Sequence, residues 1–137
     1  YRLDGDEAWR DLVMRTLEIS SRQIDQSIQD QRDENRRGGK ENKDLLSDLL
    51  NQYAWLVSNT EGNLQKALSY SMESLEISTN GAKLDTCARC YYAIGDLDNA
   101  IRMQKRALKL MPHSPPLRRQ NNQIEAAQQE RAKDSEP

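Results

Sequence analysis

The sequence has no phenylalanine, one histidine, two cysteines, six glycines and four prolines in 137 residues. Each shortage closes off a class of protein. Cys87 and Cys90, three positions apart, cannot build the disulfide framework of a small secreted domain. A single histidine, His113 in a proline-rich turn, gives neither a zinc ligand set nor a histidine paired with a nucleophile. No glycine-rich phosphate loop and no nucleophile elbow can be found. Apolar runs are short: Tyr53–Val57 is five residues, against the ~20 a membrane-spanning helix needs. Neither sign of charge dominates, with 20 Lys and Arg against 22 Asp and Glu. The balance holds in each part of the chain, which argues against bulk electrostatic attachment to nucleic acid or an anionic membrane. No signal peptide is visible. The chain opens on Tyr1 and not Met, so we expect a part of a longer protein, with no compartment assigned.

What the sequence does have is helical periodicity. Apolar residues make up 36% and charged residues 31%, polar for a compact globule but ordinary where every helix keeps one face in water. From Asp6 to Ile28 the stripe Trp9, Val13, Leu17, Ser20, Ile24 and Ile28, flanked by Leu12, recurs at three- and four-residue steps. Gln29 to Lys43 has no apolar side chain, so the helix is expected to run on only into water and to end at Gly38-Gly39. Asn35–Glu41 then reads as an exposed connection. Shorter helices follow over Asp44–Asn59, Leu64–Ile77, Ala82–Ile94, Leu97–Met111 and Leu117–Ala132. Glu61-Gly62-Asn63, Asn80-Gly81, Gly95-Asp96 and the prolines of Pro112–Pro116 punctuate them. The fold class expected is all-α.

The helices repeat. Ala54 and Ala88 are 34 residues apart, and Ala67 and Ala100 are 33 apart. The second unit reads Leu84-x2-Cys87-Ala88-x2-Tyr91, then Ala100-x3-Gln104, then Pro112. The first is looser: Leu50-x2-Tyr53-Ala54-x2-Val57, then Ala67-x3-Ser71, with Thr79 in place of the proline. A partial third copy starts at Arg118-x2-Asn121-Asn122 with polar residues where core ones belong, as suits a capping helix. In period and spacing, residues 48–125 resemble the tetratricopeptide repeat family. The resemblance implies an antiparallel helix-pair solenoid coiled into a right-handed superhelix, here with a long N-terminal amphipathic helix. The chain divides accordingly into residues 1–41 (helix and polar linker), 42–111 (two helix pairs, about 44–79 and 82–112) and 113–137 (cap and polar tail). Because two units are few for stability, Trp9, Leu12, Val13, Leu17 and Ile24 are expected to supply the missing core surface.

The resemblance also implies a function: a non-enzymatic scaffold binding a protein or peptide in a groove lined by the first helix of each pair. The matching positions are Asn51, Trp55 and Ser58, then Asp85, Arg89 and Tyr92, then Arg119 and Gln123 of the cap. Trp, Tyr and Arg are the side chains enriched at interaction hot spots. Packing of Trp55 on the N-terminal helix is the other reading of that residue. Asp85 and Arg89, one turn apart, are expected to pair. The carboxylate clamp of some family members is absent, its positions holding Asn51, Trp55, Thr86, Pro116 and Gln120. A different class of function is a dimerisation or structural module using the N-terminal helix, so the chain is expected to be a monomer or weak dimer. The least favoured is thiol-redox or metal chemistry at Cys87-Ala88-Arg89-Cys90. A redox pair sits at a helix N-terminus and this one lies mid-helix, where packing accounts for it. No cofactor, metal, small-molecule substrate or nucleic-acid partner is expected. One local charge excess stands out: Arg102, Lys105, Arg106, Lys109, Arg118 and Arg119 with no acid among them.

Overall fold

The computed structural model describes residues 2–38, 42–60 and 62–135, with side chains from Gly5 onward. Among these residues the regular elements are six helices and no strands: α1 Arg2–Arg36, α2 Lys43–Ser58, α3 Leu64–Ile77, α4 Gly81–Ala93, α5 Leu97–Leu110 and α6 Pro115–Asp134. The chain is all-α.

Polar caps set the helix starts. Asn42, Asn63, Asn80 and Asp96 each accept, through a side-chain oxygen, the backbone N–H three residues on, at 3.0, 3.0, 2.8 and 3.2 Å. Such caps stabilise by about 1 kcal/mol each. Pro115 and Pro116 occupy the first turn of α6, where a missing N–H costs nothing. Between α4 and α5 the chain turns on Gly95 at φ 85°. The Gly95 N–H donates to Tyr92 and the Asp96 N–H to Tyr91, closing the last turn of α4 before Asp96 opens α5.

Each helix packs on the next, and α2 also packs directly on α4. Ala54, Ala67, Ala88, Ala100 and Ala107 have no exposed surface, as small residues between close helices should. The largest core cluster joins Ile28 of α1, Leu50, Tyr53 and Val57 of α2, Ala67 and Tyr70 of α3, and Cys90 of α4. Leu84, Ala107 and Leu117 form a second cluster, and Ala100, Ile101 and Ile124 a third beneath Tyr91 and Tyr92.

The structure corrects the reading of the N-terminal helix in two ways. Its first half does not supply core: Trp9 is 66% exposed, Leu12 56% and Ile19 56%, and only Ile28 is fully enclosed. The reason is length. At ~1.5 Å per residue α1 is about 50 Å long, roughly twice α2 or α3, so half of it overhangs. The polar stretch runs into water only in its last turn, where Glu34, Arg36 and Arg37 are exposed; its first turn meets α3. Gln29 Nε2 donates to the Tyr70 hydroxyl at 3.2 Å, and Arg32 pairs with Glu73 at 2.7 Å. The surface of α3 that it meets is itself polar. Gly38, at φ 72°, follows the last turn. Gly39, Lys40 and Glu41 of the expected linker, and Glu61 of the next break, lie outside the described residues.

Candidate interaction face

Asn51, Trp55 and Ser58, the positions that the resemblance picks out on α2, stand at steps of four and three along one side of the helix. Trp55 is 52% exposed. It lines a shallow apolar groove with Asn51, Gln52 and Leu56 and with Ser20 and Ile24 of α1, so it faces the α1 edge as well as solvent. The Asn51 Oδ1 is enclosed there without a hydrogen-bond partner. Ser58 turns inward on its own helix, its hydroxyl donating to the Trp55 carbonyl at 3.1 Å.

On α4 the expected Asp85–Arg89 ion pair does not form; each residue is taken by a partner on another helix. Arg89 donates from Nη1 to Asn59 Oδ1 at 3.0 Å and from Nη2 to Gln120 Oε1. Asn59 caps α2 and also donates from Nδ2 to the Trp55 carbonyl at 2.7 Å. Asp85 Oδ1 accepts from Gln104 Nε2 at 3.1 Å, and Gln120 Nε2 donates to Gln104 Oε1 at 2.8 Å. Burial pushes the Asp85 carboxyl up, against the Gln104 bond and the Arg89 charge, which pull it down. A continuous line of bonds thus crosses from α2 through α4 to α6, with α5 beneath. Tyr92 leans out of this line, half-buried against Ala100, Ile101 and Ile124. Arg119 and Gln123, one turn apart on α6, are exposed and make no hydrogen bond among the described residues.

Two features escape the sequence reading. Asn59 and Gln120 tie Arg89 in place, and only a spatial register could reveal them. Lys83 is the other: it is 4% exposed, donating to Ser47 Oγ at 2.8 Å and pairing with Asp48 at 3.0 Å. Ser47 and Ser74 hydroxyls bond to each other's backbone carbonyls at 2.8 and 2.6 Å. A lysine on a serine hydroxyl can activate a nucleophile. Here both serines have no exposed surface, and the knot joins α2, α3 and α4 with no path to a substrate.

Cys87 and Cys90 are free and each 1% exposed. Burial, then the neighbouring Cys87, pushes Cys90 up to about 12, and burial raises Cys87 as well. The reactive thiolate is therefore disfavoured at both. Among the described residues no three His, Cys, Asp or Glu side chains come together as ligands for a metal. A second cleft, of about 520 Å³, lies where the overhanging half of α1 passes the α2–α3 turn. Its lining includes Met14, Leu17, Tyr53, Leu56 and Val57 and the charged Asp11, Arg15, Glu18 and Arg22.

Among known proteins, no family model, no curated protein and no solved structure matches this chain.

Proposed function

We propose that the protein is a non-enzymatic interaction scaffold, a tetratricopeptide-like helix-pair array that binds a peptide or protein segment across α2, α4 and α6. The observation that carries this reading is the Asn59–Arg89–Gln120 line. It fixes three helices, each the first of its repeat unit, into one surface. Fixed surfaces lose little entropy on binding, and exposed large side chains on them dominate the energy. Trp55 and Arg119 are those side chains. In the described residues no helix is long and apolar enough to cross a membrane.

The test is a selection of peptides from a random display library on the immobilised chain. Trp55→Ala and Arg119→Ala are each expected to weaken the selected peptides by about 1–2 kcal/mol, whereas Glu76→Ala, at an exposed site on α3, is neutral. Peptides that bind both variants as well as the parent would overturn the assignment of this face.

A second reading, self-association through α1, is favoured by the exposure of Trp9, Leu12, Val13 and Ile19 on its overhanging half. It requires a concentration-dependent dimer in light scattering that Leu12→Glu abolishes. A monomer at all concentrations removes it.

A further inference from the structure

The outward face of α5 carries a feature that the groove reading does not use. Arg102, Lys105, Arg106 and Lys109 stand at i, i+3, i+4 and i+7, which places all four on one side of the helix within two turns. All four are exposed. Among the described residues none has a carboxylate within ion-pair distance: Arg102 donates to the Asn99 side chain, Arg106 to Met103 Sδ at 3.6 Å, and the two lysines to no described group. At the C-terminal end Arg118 adds a fifth cation, held by its Nε bond to the Pro112 carbonyl at 3.0 Å. From Asn99 to Ile124 the sequence has no Asp or Glu. In a chain of net charge −2 this excess is local; the one acid on the same helix, Asp98 in its first turn, stands four residues before Arg102 and accepts from Gln128 Nε2 at 2.8 Å. The C-terminal position favours positive charge, but only in the last turn of a helix, and Arg102 stands well before it.

We infer that this stripe is a second docking surface, for an acidic protein segment whose carboxylates match the helical spacing of the four cations. Three physical points select this occupant. Carboxylates three and four residues apart on a helix stand about 5–6 Å apart, the spacing of the stripe itself. Leu110, four residues beyond Arg106 and so beside it, is 59% exposed and offers an apolar anchor that an acidic peptide with one apolar residue can use. Single-stranded nucleic acid would need aromatic platforms, and α5 has none. An anionic membrane would need an apolar face to insert, and Ala100, Ile101 and Ala107 are spent in the core.

The experiment uses the whole chain and three probes: a labelled helical peptide with glutamates at i, i+3, i+4 and i+7 and a terminal leucine, vesicles containing phosphatidylserine, and a single-stranded oligodeoxynucleotide. The peptide is expected to bind at about 50 mM salt and to weaken steeply toward about 500 mM, as an exposed charged surface requires. Lys105→Glu with Lys109→Glu is expected to reduce its affinity at least about tenfold. Arg10→Glu with Arg37→Glu, the same charge change at exposed sites on and beside α1, leaves it within about twofold. Circular dichroism establishes that each variant is folded. If the glutamate pair does not fold, Lys105→Gln with Lys109→Gln decides, with an affinity loss of at least about threefold expected. Unchanged binding in the stripe variants overturns the proposal. So does vesicle or oligonucleotide binding as tight as that of the peptide, which would make the stripe an unselective polyanion surface.

Discussion

Lys83 and the two cysteines show how a single side chain's surroundings settle what it can do. The Lys83 ammonium is enclosed, yet it is satisfied by Ser47 and by Asp48, whose carboxylate stays 61% exposed. Removing only the charge therefore leaves Asp48 solvated and costs less than removing the stem, which also opens a cavity between α2 and α4. Lys83→Ala is expected to destabilise by about 2–3 kcal/mol and Lys83→Met by about 1 kcal/mol less, since methionine keeps the stem. Urea denaturation midpoints compare the two; equal and small losses would mean the lysine stem packs nothing. Cys90 sits against the Ala54 carbonyl at 3.8 Å inside the main core, with its thiol held up to about 12. Alkylation of both cysteines should accordingly follow global unfolding, with native protein inert to a disulfide reagent at neutral pH. Rapid labelling of the native chain would contradict the burial of this pair.

At the scale of the element, α1 is where sequence and structure diverge, and the cause is physical. Hydrophobic periodicity tells which face of a helix wants burial, but not how much of its length finds a partner. Trp9 and Ile24 belong to the same stripe, and only Ile24 meets the body. The polar residues that follow are held by a polar seam: Asp25 accepts from Lys66 at 2.7 Å and from the Tyr70 hydroxyl at 2.6 Å, and the Arg32 guanidinium lies 5.5 Å over the Tyr70 ring. Burial raises the Asp25 carboxyl, but the bonds from Lys66, Tyr70 and Gln29 outweigh it, and the net shift is downward. A carboxyl held below its unfolded value of about 3.9 adds stability that is complete above that pH and lost as pH falls through the lower folded value. Asp25→Asn is expected to cost roughly 1 kcal/mol at neutral pH, and the gap to the parent should close below about pH 4. A gap that is the same at pH 7 and pH 2.5 in urea titrations would show that Asp25 does not anchor α1 through its charge.

For the whole molecule, the legible part is what residue type controls locally. Helix ends follow Asn and Gly punctuation, and Ala54, Ala67, Ala88, Ala100 and Ala107 are fully buried, because both are local consequences of residue type. The candidate face is legible only in part: the period places Trp55 and Arg89, but Arg89's bonds to Asn59 and Gln120 span 30 and 31 residues and depend on how helices register in space. The same long-range ties make a prediction about cooperativity. Cys90 of the second helix pair lies in the core of the first, and Lys83 of the second bonds Ser47 of the first. Neither pair can open without exposing groups of the other, so the two should unfold together. Ala88 and Ala100 have no exposed surface to spare, and a leucine at either forces its neighbours apart. We expect Ala88→Leu and Ala100→Leu each to destabilise by about 1–3 kcal/mol. Each should shift one single urea transition, with its slope unchanged, because the damage in either helix is shared by the whole array. The discriminating case is Ala100→Leu, which lies in α5, away from the α1–α2–α3 core. If it splits the transition in two, with Trp55 fluorescence reporting an intact first pair after α4 and α5 have unfolded, the ties through Cys90 and Lys83 do not couple the pairs. An unmoved midpoint for both variants would instead remove the close-packed alanines from the account of the fold.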